Sequence, residues 1–185
     1  NNQENLETFK NLIMTNLNKI GEISIEDLYN LINNWFPKDK KEVFQKLSET
    51  PEIELQYVEL IINKFVKSSK QTEDIVIDED PTMIEYIFSL HIKLLCELKK
   101  TEKILPSLKR CSFYPIKTCL EFCTYYKVND ACIYLYQMQG DVDKALSVCI
   151  NVINAIYAEL VTNLQANPFN ENTHYLQKIE FTKCI

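Results

Sequence analysis

"DACIYLYQMQGDVDKALSVCI", residues 130–150, sets two helix-like stretches around Gly140, one of only two glycines in 185 residues. Ahead of the glycine, Ala131, Cys132, Leu135 and Met138 recur at helical spacing, and after it Val142, Ala145, Leu146 and Cys149 do the same. A residue without Cβ takes positive φ at low cost, which fits Gly140 to the left-handed position just past a helix end. Asp141 then fits the N-cap of the next helix, where its side chain accepts a backbone N–H. Ala131 and Ala145 are small where adjacent helices must approach closely. The stretch reads as a helical hairpin, and its logic extends in both directions.

Two glycines and six prolines leave few sites for the tight turns that many short strands need. Hydrophobic content of 46% with 25% charged residues is ordinary globular composition. The opening "NNQENLETFK" has neither an initiator methionine nor a charged-then-apolar leader. No apolar run is expected to approach the roughly 20 residues that cross a bilayer. These features give the expectation of a cytoplasmic segment belonging to a longer protein, without direct membrane insertion.

Charge is uneven. Residues 1–100 hold 12 Lys/Arg and 18 Asp/Glu, a net of −6, and residues 101–185 hold 8 of each. An acidic chain is poorly suited to phosphate backbones or anionic lipid, so nucleic acid is not an expected partner.

Apolar periodicity continues from end to end. Leu6, Phe9, Ile13, Leu17 and Ile20 form a first stripe that Gly21 is expected to end. Ser24 opens a second helix, with Ile23 and Leu28 placed as a hydrophobic staple, and Pro37 stops it after Phe36. A short helix follows over 39–47. Thr50-Pro51 is a cap followed by proline at the first helical position. The helix after it, to about Val66, is apolar over more than half its circumference and is expected to have neighbours on several sides. Asp80-Pro81 repeats the device and opens a helix to Glu97. A shorter helix spans about 102–109, and Pro115 starts another with Ile116, Cys119, Leu120 and Cys123 inward. Asn129 is the expected N-cap of the helix before Gly140. The longest helix follows, with Val142, Ala145, Leu146, Cys149, Val152, Ile153, Ile156, Leu160 and Leu164 as its stripe, until Asn167-Pro168 breaks it. A terminal helix is expected over 170–183. Nine or ten helices joined by short links exceed a simple four-helix bundle, and they predict an α-solenoid of stacked antiparallel hairpins over 1–185.

"SSKQTEDIVIDED", residues 68–80, interrupts the pattern with five acids around Ile75-Val76-Ile77. Its bland reading is a solvated loop stapled by an aliphatic side chain. Its functional reading is an acidic docking loop in which Asp74, Asp78, Glu79 and Asp80 meet a basic partner. Those acids miss the EF-hand spacing and its glycine.

Chemistry-bearing residues are sparse. The seven cysteines, Cys96, Cys111, Cys119, Cys123, Cys132, Cys149 and Cys184, form no C-x-x-C pair. Cys119 and Cys123 stand one helical turn apart, which suits metal ligation, but both fall on an apolar stripe, where free thiols behave as small hydrophobes. His91 also lies on an apolar stripe and reads as a hydrogen-bonded core residue. His174 has no partner motif. No catalytic residue, metal ligand or cofactor site is assigned.

Residues 83–150 carry a more particular pattern: "HIKLLCEL", then "ILPSLKRCSFYPIKTCLEFCTYYKVNDACIYLYQMQGDVDKALSV". A helix ends in Leu-Cys-Glu, and a Leu-Pro-x-Leu step and a Tyr-Pro start follow. After a cysteine-bearing helix come Val-x-Asp-Ala, a Tyr-Leu pair and Gly-Asp-Val-x-x-Ala-Leu. This order resembles the clathrin-heavy-chain-type repeat of endosomal and vacuolar tethering subunits, those of the CORVET and HOPS complexes. Gln137-Met138-Gln139 replaces the charged Glu-Arg pair of that pattern before the glycine. The resemblance implies a non-enzymatic scaffold acting in vesicle-mediated protein transport and in endosome and vacuole fusion. It implies other tethering subunits as partners, with Rab-family GTPases and SNARE machinery reached through the complex, and a peripheral location at endosome or vacuole membranes. Alternatives are a trafficking-coat or nuclear-pore α-solenoid and, from a different class, a metal protein or enzyme using the cysteines and His91.

Overall fold

A computed structural model describes residues 2–69 and 81–166. Among the described residues the chain is all-α: α1 (Asn2–Ile23), α2 (Ile25–Trp35), α3 (Lys40–Leu47), α4 (Pro51–Ser69), α5 (Pro81–Glu97), a 3-10 turn (Thr101–Lys103), α6 (Ile104–Arg110), α7 (Ile116–Tyr125), α8 (Asn129–Gln139) and α9 (Val142–Ala166). Packing divides it into two compact units, Asn1–Phe122 and Cys123–Ile185, with the boundary inside α7. The 68–80 acidic loop, apart from Ser68 and Ser69 at the end of α4, and the 170–183 helix lie outside the described residues. Asp74, Asp78, Glu79 and Asp80 are therefore not located.

The first unit is organised around α4. Its apolar circumference receives α1, α2, α3 and α5, and Ile53, Leu55, Tyr57, Val58, Ile62 and Val66 are all buried. Each fully buried side chain of this size contributes about 1.5–3 kcal/mol relative to exposure. Leu17 of α1, Leu28 and Ile32 of α2, and Val43 and Leu47 of α3 complete this core. Helix α1 packs on α2, α3 and α4 together.

Gly21 does not end the first helix, which runs through it to Ile23. A Cβ built on Gly21 would stand 2.6 Å from Ile53 Cγ2 and 3.3 Å from Leu28 Cδ2. Glycine is required there for close approach of α1 to α4, not for a turn. The break comes three residues later, where Ser24 Oγ accepts the Asp27 N–H at 3.2 Å and caps α2. Ile23 is 86% exposed while Leu28 is fully buried, so the expected staple between them is not made. Phe36 follows as the C-cap of α2.

The proline devices act through backbone carbonyls. Thr50 O accepts from Ile53 N and Glu54 N at the start of α4, and Pro115 O accepts from Cys119 N at 3.0 Å at the start of α7. Pro115 thus occupies the cap position and Ile116 the first helical one. Helix α5 is buried over most of its circumference from Ile87 to Cys96, so the apolar stripe that holds His91 covers most of the helix. Phe65 of α4, Phe88 of α5, and Phe113 and Tyr114 before α7 pack edge-on or tilted, with centroids 4.8–5.9 Å apart.

Candidate functional site

The stretch around Gly140 forms the hairpin of the second unit. Gly140 has φ 77° and ψ 9°. Its N–H donates to Gln137 O and the Asp141 N–H donates to Tyr136 O, both at 3.0 Å. This pair of bonds is a Schellman closure, which satisfies carbonyls that a helix end otherwise leaves bare. Asp141 restarts the chain: its Oδ1 accepts the Lys144 N–H at 3.2 Å, and its Oδ2 pairs with Lys144 Nζ at 2.7 Å. The Lys144 side chain holds the Asp141 carboxyl below its ordinary pKa, and Asp141 raises that of Lys144 in return. Ala131 and Ala145 are both buried, and α8 packs along α9. The structure brings Gly140, Asp141, Ala131 and Ala145 together in one hairpin, and Pro115 stands at the head of α7 in the first unit.

The cap of α8 is shifted by one residue from the expected Asn129. Val128 O accepts from Cys132 N at 3.0 Å, and Asn129 is the first helical residue. Asp130 Oδ1 instead accepts the Ala131 N–H at 2.8 Å. Met138 is 52% exposed, whereas Ile133, left out of the expected stripe, is buried.

The Gly140 geometry recurs where no glycine marks it. Lys99 has φ 56° and Lys127 has φ 58°. At the end of α5, Lys99 N–H donates to Cys96 O and Lys100 N–H to Leu95 O. At the end of α7, Lys127 N–H donates to Thr124 O and Val128 N–H to Cys123 O. Three helices therefore end in the same two-bond closure, twice with lysine in the left-handed position. Positive charge beside bare carbonyls is favoured by the helix dipole, which offsets part of the backbone cost.

Helix α9 is sparsely covered. Of the expected stripe, Ala145 is buried and Cys149, Val152, Ile156 and Leu160 are half-buried. Val142, Leu146 and Ile153 instead face outward with Ile150 and Tyr157. The stripe assigned from spacing is two adjacent faces of one helix. Against the expectation that no run approaches that length, the helix over Val142–Asn163 is long and apolar enough to cross a membrane by length and composition alone, and Ala145 is the one buried residue of that span. Asp143, Lys144 and Glu159 interrupt the run in the sequence.

The first unit holds a polar cluster that spacing did not reveal. His91 of α5 is buried, and its Nδ1 lies 2.8 Å from the Tyr114 hydroxyl. Its Nε2 has no hydrogen-bond partner and points toward Glu59 Oε1 of α4 at 3.8 Å. Lys103 Nζ stands 3.9 Å from the same carboxylate. His91, and then Lys103, hold Glu59 below the ordinary carboxylate range. Burial pushes the Tyr114 phenol well above its ordinary value, so it stays protonated. The cluster joins α4, α5 and the segment before α7.

A second carboxylate has the opposite character. Glu54 is buried on α4, and desolvation raises its pKa, with Lys93 opposing and Glu97 reinforcing the shift. Cys96, Cys119, Cys123 and Cys132 are buried and carry reduced thiols. Burial pushes Cys119 up to about 12, which keeps it in the unreactive thiol form. Among the described residues no group of three or more His, Cys, Asp or Glu side chains is gathered to hold a metal. A small cleft of about 10 Å³ between α4 and α5 is lined by Ile61, Ile62, Phe65, Ile84, Ile87 and Phe88, room for no more than about one water molecule. No protein family, curated protein or solved structure matches the chain.

Proposed function

We propose that this chain is a non-enzymatic scaffold segment of a CORVET/HOPS-like endosomal tethering subunit, nearest in pattern to the CORVET-specific one. In this reading it is part of an α-solenoid that holds other subunits at fixed spacing. Rab-family GTPases and SNARE machinery are met through the assembled complex, at endosome or vacuole membranes. The observation that carries the reading is the α8–α9 hairpin: small residues set the helix contact, a Schellman closure fixes the turn, and one long apolar face is left open. Such a surface suits protein contacts and offers no nucleophile, base or ligand set. The His91–Tyr114 pair supports the same view, because both side chains are buried and their bond links α5 to the segment before α7.

Affinity purification of the native protein that carries this sequence, followed by mass spectrometry of what is retained, tests the proposal. Shared tether core subunits are the expected result. Clathrin-coat or nuclear-pore components would replace the proposal with the scaffold alternative. Stoichiometric zinc that survives dialysis, and is lost in Cys119→Ser or Cys123→Ser, would replace it with a metal protein.

A further inference from the structure

Positive charge is concentrated in one short segment. Residues 93–117 hold seven Lys/Arg, among them the chain's one arginine, against Glu97 and Glu102, a net of +5. The rest of the chain holds 13 Lys/Arg and 24 Asp/Glu, a net of −11. Packing within the first unit gathers part of this positive charge along one ridge of α4. Glu59, Asn63 and Lys67 stand four residues apart, so they share one side of that helix. Lys103 Nζ lies 3.9 Å from Glu59 Oε1, and one turn further on Arg110 Nη1 donates to Asn63 Oδ1 at 2.7 Å. Glu59 is held below the ordinary carboxylate range by His91 first, and the charges of Lys103 and Lys100 add to this. Lys67, Lys103 and Arg110 are exposed and Lys100 is half-buried. Four cations thus line a ridge that contributes a single carboxylate of its own.

We propose that this ridge docks a short acidic segment of a partner protein. From Glu59 to Lys67 it runs about 12 Å, the length of about four residues of extended chain. Arg110 spends one N–H on Asn63, and its planar fork matches the edge of a carboxylate, while the lysines act as point charges on either side. A nucleic acid or an anionic bilayer carries negative charge well beyond such a length and would meet the acids that dominate the rest of the chain. A short acidic segment confines its charge to the ridge. Glu59 competes with it for the same cations, which makes this carboxylate the brake on docking. The inference stands on the first unit alone, independently of the tethering proposal.

Fluorescence anisotropy of a labelled oligoglutamate peptide, titrated with the full chain, tests it. Binding is expected at low salt and should weaken as salt is raised. Lys103→Gln and Arg110→Gln should each weaken it about two- to fivefold. Glu59→Gln should tighten it by a similar factor, even where the substitution lowers the melting temperature. Opposite signs at Glu59 and Lys103 are what a purely structural role would not produce. Lys19→Gln, exposed on α1, should leave the affinity unchanged, and thermal melts confirm that each variant is folded. Affinity that ignores Lys103, Arg110 and Glu59 overturns the proposal. So does flotation with phosphatidylserine vesicles without peptide binding, which would make the occupant a membrane. Peptide binding that appears only after Asp74, Asp78, Glu79 and Asp80 are replaced by Asn or Gln would make the chain's own acids the occupant.

Discussion

His91 Nδ1 and the Tyr114 hydroxyl stand 2.8 Å apart in a buried site, a polar bond between α5 and the segment leading into α7. The protonated phenol can donate to Nδ1, which leaves the ring proton on Nε2, the nitrogen directed at Glu59. Tyr114→Phe removes the hydroxyl and leaves a buried nitrogen unpaired, at a cost of about 1–3 kcal/mol. Urea unfolding measures it, and the loss should shrink when His91 is also replaced by Phe. Equal losses in the two backgrounds would show that the bond contributes nothing beyond ring packing.

Glu59 and Glu54 give opposite pH dependence. The folded-state pKa of Glu59 is lowered from 4.5. Its contribution is therefore present above that value and lost as pH falls through the folded one. The pKa of Glu54 is raised from 4.5, so its charge penalty is absent below 4.5 and builds as pH rises through the folded value. Glu59→Gln should lower the melting temperature at pH 7, with a gap that closes toward acid. Glu54→Gln should raise the melting temperature at pH 7, with a gain that vanishes below 4.5. A pH series of thermal melts checks both signs.

The three Schellman closures predict substitutions of opposite sign. Lys99→Gly and Lys127→Gly relieve a side chain held at positive φ and should stabilise by up to about 1 kcal/mol. At Gly140 an added Cβ meets nothing within 4 Å, so the cost of a substitution is backbone strain alone. Gly140→Val should destabilise by at least about 1 kcal/mol. Chemical denaturation of the three variants decides it. An unchanged midpoint in Gly140→Val would refute the strain argument.

Gly21→Ala should cost about 1–3 kcal/mol, because its Cβ collides with a β-branched side chain that has little freedom to move. In an Ile53→Ala background, where Cγ2 is gone, the same change should be nearly free. A double-mutant cycle on thermal or urea unfolding reads this directly.

Helix content and most boundaries were legible in the sequence because apolar spacing, proline and serine caps are local signals. Pro51 opens α4 and Gly140-Asp141 turns and restarts the chain as their residue types suggest. What stayed hidden depends on partners distant in the chain. Gly21 reads as a helix stop until Ile53 arrives against it from α4. Nothing near His91 announces Tyr114 or Glu59, which other segments deliver. On α9, spacing identifies apolar residues but cannot divide them between the face that meets α8 and the face that does not. The left-handed lysines escaped notice because composition points to glycine for that geometry, and lysine in the last turn reads equally well as a solvated charge.

Lys99 and Lys127 also place trypsin's own recognition residue, exposed, at two helix ends. Each following bond is tied down by only two backbone hydrogen bonds, so brief fraying there costs far less than opening a helix interior. Mild digestion should therefore nick the chain at its structural joints before it attacks the helices. The resulting fragments would begin at Lys100 and Val128, so the protease would report the helix boundaries that a scarcity of glycine conceals.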